Sequence, residues 1–231
     1  MPPAKRSASA PLGRSALPAE EPPPVRRNPE RTSAAILAAA THEFATKGYG
    51  GAAVNEIARR AGVNKRMIYH YFGNKEALYI AVFEAAYADI RTAESRLRFD
   101  ESDPVEAIRA LCLFTWRYYL KHPEFLGLLN AENQIKARYI RRSPHIARMH
   151  VPLIDTLARL LERGHALGEF SVAADPVEVY ITIASLCHFR FGNRWTLSVI
   201  FSRNLADKAS LAAWGEHIVE TLLASLRRPA G

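Results

Sequence analysis

Residues 54–75, Val-Asn-Glu-Ile-Ala-Arg-Arg-Ala-Gly-Val-Asn-Lys-Arg-Met-Ile-Tyr-His-Tyr-Phe-Gly-Asn-Lys, constrain this chain more than any other stretch. They divide into two short helical segments around one glycine. Gly62 stands where the first segment must stop, and without a Cβ it takes the left-handed conformation at low cost. Asn64 follows, its side-chain oxygen suited to accept a backbone N–H near Met67 and so to cap the second helix. Gly73 and Asn74 repeat the device. Ile57, Ala58, Ala61, Val63, Ile68 and Phe72 make an apolar seam, with Ala58 and Ala61 small enough for close backbone approach. Outward on the second helix stand Lys65, Arg66, Met67, Tyr69, His70 and part of Tyr71. Lys65 and Tyr69 are four apart, as are Arg66 and His70, so they line one exposed side.

Two helices joined this way form a helix-turn-helix. The second has the width of a major-groove reader, and its outward side chains can reach base edges and phosphates. A plain helical corner with solvated charges gives a looser pattern. The double cap and the Tyr-His-Tyr-Phe run favour the DNA reader. Charge agrees. The net charge is +8, distributed as +3 over residues 1–29, +4 over 30–75 and +1 over 76–231. A basic module on a nearly neutral body suits a polyanion. No amphipathic anchor or long apolar run supports a membrane partner.

Further residues extend the pattern: Phe44-Ala45-Thr46-Lys47-Gly48-Tyr49 ahead of it, Ile57-Ala58 with Ala61-Gly62-Val63 within it, and Ile68-Tyr69-His70-Tyr71-Phe72 leading to Asn74-Lys75-Glu76-Ala77-Leu78. In these residues the stretch 41–78 resembles the DNA-binding domain of the tetracycline-repressor (TetR) family of bacterial regulators. The resemblance implies a helix-turn-helix domain over 29–75 and a helical effector-binding and dimerisation domain over 76–231. It also implies that Lys75 contacts phosphate and that the fourth helix transmits movement between the two. One departure stands out: Ala52-Ala53 occupy the place where the family often has Thr or Ser, which cap the second helix and touch phosphate. Asn55 is the candidate substitute.

Residues 1–28 hold seven of the fourteen prolines, and this composition predicts a disordered tail. Its Lys5, Arg6, Arg14, Arg26 and Arg27 suit either a basic arm in a minor groove or a solvated tail. Helical periodicity predicts a first helix over 30–47 ended by Gly48, and a fourth over 75–98 with the buried stripe Leu78, Val82, Phe83, Ala86, Tyr87, Ile90. Asp103-Pro104 and Asp175-Pro176 read as capped helix starts. Further helices are expected from Pro123 through 142, from Pro144 to about 165 with Gly164 and Gly168 ending it, from 176 to 191 with a break at Gly192-Asn193, over 195–201, and over 206–226. No alternating apolar run argues for strands, so the expected fold is all-α.

In the body, Trp116, Tyr119, Tyr180 and Phe191 are candidate walls of a ligand cavity, with Glu132, Asn133, His150 and His188 as polar contacts. Each also reads as ordinary core packing. A small effector there is what the resemblance implies. Trp195, Leu211, Trp214, Ile218 and Leu222 on the last helices are the candidate dimer surface, whose alternative is burial within one subunit. A two-fold homodimer would set two reading helices one DNA turn apart on a near-palindromic double-stranded operator. No phosphate loop, nucleophile elbow or paired-histidine motif supports catalysis, and no cofactor or metal is expected. Cys112 and Cys187 read as buried reduced thiols, consistent with the cytoplasm. The reading is a ligand-released repressor. Its rivals are a helical enzyme or carrier with an idle helix-turn-helix, and a regulator without a small effector.

Overall fold

The computed structural model describes residues 28–97, 99, 103–171 and 174–227. Among them are nine α-helices and one short 3-10 turn, and no strand. The predicted tail, with its five basic residues, lies outside the described residues except for Asn28. That residue caps α1 (Pro29–Gly51), its side chain accepting the Glu30 N–H at 3.0 Å. α1 buries Ile36, Ala39, Ala40 and Phe44. The expected stop at Gly48 is instead a kink, φ 64° and ψ 179°, beyond which the element continues to Gly51.

α2 (Val54–Ala61) closes on Gly62 at φ 64°, ψ 33°, the left-handed conformation a glycine takes without penalty. Asn64 then caps α3 (Lys65–Phe72), accepting the Arg66 N–H at 2.9 Å, one residue earlier than anticipated. Gly73 separates α3 from α4 (Lys75–Glu94), and Asn74 Oδ1 accepts the Ala77 N–H at 2.8 Å. Replacing Asn74 by Ala strips that orphan donor of its acceptor at an expected cost of about 1 kcal/mol. Circular-dichroism melting should show it as a drop of roughly 2–4 °C.

The body comprises α5 (Pro104–Lys121), α6 (Pro123–Gln134), the 3-10 turn Ile140–Arg142, α7 (Pro144–Ala166), α8 (Pro176–Ile200) and α9 (Lys208–Leu226). Asp103, Ser143, Asp175 and Asp207 cap α5, α7, α8 and α9 with side-chain oxygens. Four expected boundaries moved. α4 ends at Glu94. α6 stops at Gln134 because Lys136 and Ala137 turn to φ 58° and 55°. Gly164 lies inside α7, where a Cβ would meet the Phe170 ring at 2.2 Å, and Gly168 alone marks the exit. Gly192-Asn193 does not interrupt α8. A helical glycine costs only about 1 kcal/mol and need not end a helix.

Two apolar cores result. One joins Ile36, Phe44, Ile57, Ile68, Leu78 and Phe83 to Leu128, Tyr139 and Ile146 of the body. The other runs from Ile90 through α5, α7, α8 and α9. α4 contributes to both. α1 packs along α6, and Gly127 permits it: a Cβ there would lie 2.7 Å from the Ala45 carbonyl oxygen. Glu43 is buried between Lys47 at 2.7 Å and Arg60 at 3.5 Å, fastening α2 to α1. Cys112 and Cys187 are free and buried. Burial pushes the Cys112 thiol up to about 12.

Candidate nucleic-acid interface and body cleft

α3 has one anchored face and one open face. Ile68 is fully buried, while Lys65, Arg66, Tyr69 and His70 are exposed, and Met67 and Tyr71 are half-buried. The Lys65 ammonium sits 5.8 Å from the Tyr69 ring centre. Nearby cations are committed elsewhere: Arg59 pairs with Glu56, and Lys47 and Arg60 pair with Glu43. Among the described residues, Lys65 and Arg66 have no carboxylate partner. Two unpaired cations beside an exposed phenol and imidazole make a surface fit for phosphates and base edges.

The flanks are consistent with this. Ala53 gives α2 no side-chain cap, and Asn55 stands exposed in its first turn. Lys75 opens α4, half-buried, its Nζ 4.7 Å over the Tyr49 ring, and burial lowers its pKa below the usual lysine value. The Tyr49 ring lies against Tyr139 at a tilt, centres 4.2 Å apart, and Arg142 pairs with Glu76, so the start of α4 is tied to the 3-10 turn of the body.

A cleft of about 560 Å³ opens between α4 and α7, lined by Arg91, Glu94, Leu97, Met149, Leu153 and Thr156 among others. The side chains of Arg91 and Glu94 are only 10% and 4% exposed. Arg91 Nη1 lies 3.0 Å from Glu94 Oε2 without the alignment of a hydrogen bond, and Nη2 donates to the Tyr180 hydroxyl at 3.3 Å. Arg91 Nε and Nη1 and Glu94 Oε1 have no hydrogen-bond partner. Burial pushes the Glu94 carboxyl up to about 7, outweighing the opposite pull of Arg91. His150 Nδ1 donates to the Ile146 carbonyl at 2.8 Å, and its ring lies 4.9 Å from Tyr87 and 6.3 Å from Tyr180. Burial holds this imidazole below its usual pKa.

A carboxyl whose pKa is raised on folding stabilises the native state below its unfolded pKa and loses that contribution as pH climbs through the folded value. Stability should therefore fall between pH 4.5 and about 7. The difference between wild type and Glu94→Gln in urea midpoints across that range isolates the effect. Parallel pH profiles would refute it.

Of the eight residues expected to line a cavity, His150 and Tyr180 gather beside Arg91, and Tyr119 is buried close enough to Tyr180 and Tyr87 to feel them electrostatically. The other five lie elsewhere, Phe191 among them in the core with its ring centre 6.5 Å from that of Trp116. Trp116 packs in the core, its indole N–H donating to the Leu211 carbonyl at 3.0 Å and its ring lying over Gly215. Glu132 is buried as a backbone clamp, accepting the Tyr139 and Ile140 N–H groups at 2.6 and 3.0 Å. Asn133 is exposed, and His188 bonds Asn130 at 2.9 Å. Arg91 and Glu94 were missed. The signal was present: they continue the buried stripe of α4, four residues after Tyr87 and Ile90.

The expected dimer stripe is covered in part within its own chain. Ile218 and Leu222 are buried in their own subunit's core, and Leu211 and Trp214 are half-buried against it, with Trp214 Nε1 donating to Leu186 at 3.1 Å. Trp195 is 63% exposed, and Val199, Ile200 and Phe201 beside it are 81%, 67% and 61% exposed.

The chain is similar to known proteins along most of its length. The family model for "Bacterial regulatory proteins, tetR family" matches residues 36–82, and that for "Tetracyclin repressor-like, C-terminal domain" matches 104–222. The chain is 40% identical over 199 residues to the HTH-type transcriptional repressor NicS of Pseudomonas putida, covering 86% of this chain and 94% of NicS. A crystal structure of a Streptomyces coelicolor transcriptional regulator superposes with a TM-score of 0.64 at 24% identity, over 86% of this chain and 99% of that one. The regulator FadR of Bacillus subtilis, solved with stearoyl-CoA, gives 0.62 at 20% identity, over 84% and 99%. Open cationic α3, capped α4 and an all-helical body thus coincide with matches over both parts of the chain, which belongs to the TetR family of bacterial DNA-binding transcriptional regulators.

Proposed function

We propose that this regulator is a homodimeric cytoplasmic repressor that grips a near-palindromic operator and releases it when a small effector enters the body. Residues 29–75 serve as the DNA-binding domain and 76–231 as the effector and dimer domain. Lys65, Arg66, Tyr69 and His70 contact bases or phosphates, with Met67 packed against the groove wall. Asn55, Tyr71 and Lys75 position the backbone. The observation that carries this reading is the pair of carboxylate-free cations on a capped helix whose opposite face is anchored by Ile68. The name of NicS supports repression over activation. The apolar end of α8, with Trp195 and Val199 exposed, supports pairing with a second copy. The open cleft beside Arg91 favours an effector over a regulator without one.

Selection of random duplex DNA by the purified protein tests this. The selected sequence should be an inverted repeat with half-sites about one helical turn apart. Binding should weaken steeply with salt, the logarithm of the affinity falling by about 0.9 per phosphate neutralised for each unit of log salt. Recovery of no preferred sequence, or a flat salt response, would end the proposal.

A further inference from the structure

We infer that the effector is a small organic acid whose carboxylate docks on Arg91 in the α4–α7 cleft. This rests on reading the body as an effector domain, and it adds the chemistry of what enters. Buried polar groups in folded proteins almost always have partners, so a cluster of orphans at a cleft marks something absent. Here the orphans are two guanidinium nitrogens and one carboxylate oxygen, on side chains at least nine-tenths buried. Both line a cleft of about 560 Å³, a volume that suits a small molecule. The donors outnumber the acceptor. An incoming carboxylate supplies acceptors to Arg91 Nε and Nη1, which Glu94 approaches but does not satisfy. Charge-assisted bonds of this kind are short and strong.

Charge balance fits an anion. The neighbours of Arg91 are neutral aromatic groups: Tyr87 and Tyr119 held protonated by burial, Tyr180 accepting its Nη2–H, and His150 kept uncharged by burial. Glu94 is the one acidic group paired with Arg91, and its carboxyl protonates near neutrality. Once a ligand carboxylate takes the guanidinium, neutral Glu94 can donate its own proton to that ligand. The remainder of the cleft is apolar: Leu97, Phe99, Met149, Pro152 and Leu153. An apolar or flat body behind the carboxylate would fill it. A second cleft, between α4 and α5, offers no such orphan, since its buried Tyr118 hydroxyl already donates to Asp89 at 2.7 Å.

The test is thermal shift and calorimetry on the full chain with a panel of aliphatic and aromatic monocarboxylates, starting from hexanoate and benzoate, each beside its primary amide. At least one acid should raise the melting temperature and bind where its amide does not. Arg91→Gln should weaken that acid by about 10- to 100-fold, the span expected for a hydrogen bond to a charged group. Arg91→Lys, which keeps the charge if the glutamine variant folds poorly, should retain part of the response. Glu94→Gln should bind the acid at least as well, because the competing carboxylate is gone. Amides acting as strongly as acids, no acid acting at all, or Arg91→Gln responding like wild type would each overturn the inference. Release of selected DNA by a neutral compound, unaffected at Arg91, would overturn it too while leaving the repressor reading intact. Failure to bind DNA would sink that reading, and the thermal-shift arm would still decide this one.

Discussion

Replacing Lys65 and Tyr69 together by Ala should weaken operator binding by about 1000-fold while the protein stays folded and keeps its state of assembly. Neither side chain supports the core: both are exposed, and the helix is held by Ile68 on its other face. A single contact to base or phosphate is worth about 1 kcal/mol at the low end. In the proposed homodimer the two substitutions remove four such contacts, or about 4 kcal/mol, which is about three decades in affinity. Fluorescence anisotropy on the selected operator measures the loss, and sedimentation checks the assembly. The salt slope should flatten in the variant, because fewer counterions are released. Undiminished affinity would remove α3 from the interface.

Gly127→Val should be the most disruptive single substitution in the contact between the two parts of the molecule. The added Cβ would sit 2.7 Å from the Ala45 carbonyl oxygen and 3.1 Å from its Cβ. The near neighbour is backbone, which cannot swing aside, so α6 must move off α1. Overpacking of this sort costs about 3 kcal/mol, a fall in melting temperature of roughly 6–12 °C for a chain of this size. Operator affinity should change as well, although every side chain of α3 is intact, because α1 supports the α2–α3 pair. Gly127→Ala, which adds the clashing Cβ alone, should show a smaller loss of the same kind. Wild-type melting and wild-type affinity in the valine variant would mean that α1 and α6 are not pressed together in solution.

Helix starts were legible because they are local: Asn64, Asn74, Asp103 and Asp175 all cap where residue type and spacing placed them. Helix ends were less so. Gly192 has the chemistry of a stop, yet α8 runs through it to Ile200, which its residue type alone does not report. The nucleic-acid face was legible for the same reason as the caps, since one eight-residue helix holds it. The cleft was not. Arg91, Met149 and Tyr180 come from three helices, and whether Arg91 is satisfied depends on what the other two fail to present. Ile218 and Leu222 make the point in reverse. Their apolar stripe was plain, but a stripe does not say whether its own subunit or another will cover it.

α4 is one uninterrupted rod whose first turn carries Lys75 and whose last turn carries Arg91 and Glu94, about 24 Å away at 1.5 Å per residue. The stretch between, including Tyr79, Val82, Phe83 and Ile90, is packed into both cores. Relatives diverging from a common ancestor could therefore rewrite either tip independently, acquiring a new inducer while keeping the same binding site on the chromosome. The middle of the rod has no such licence: a change there is felt by both ends at once, and it should drift least.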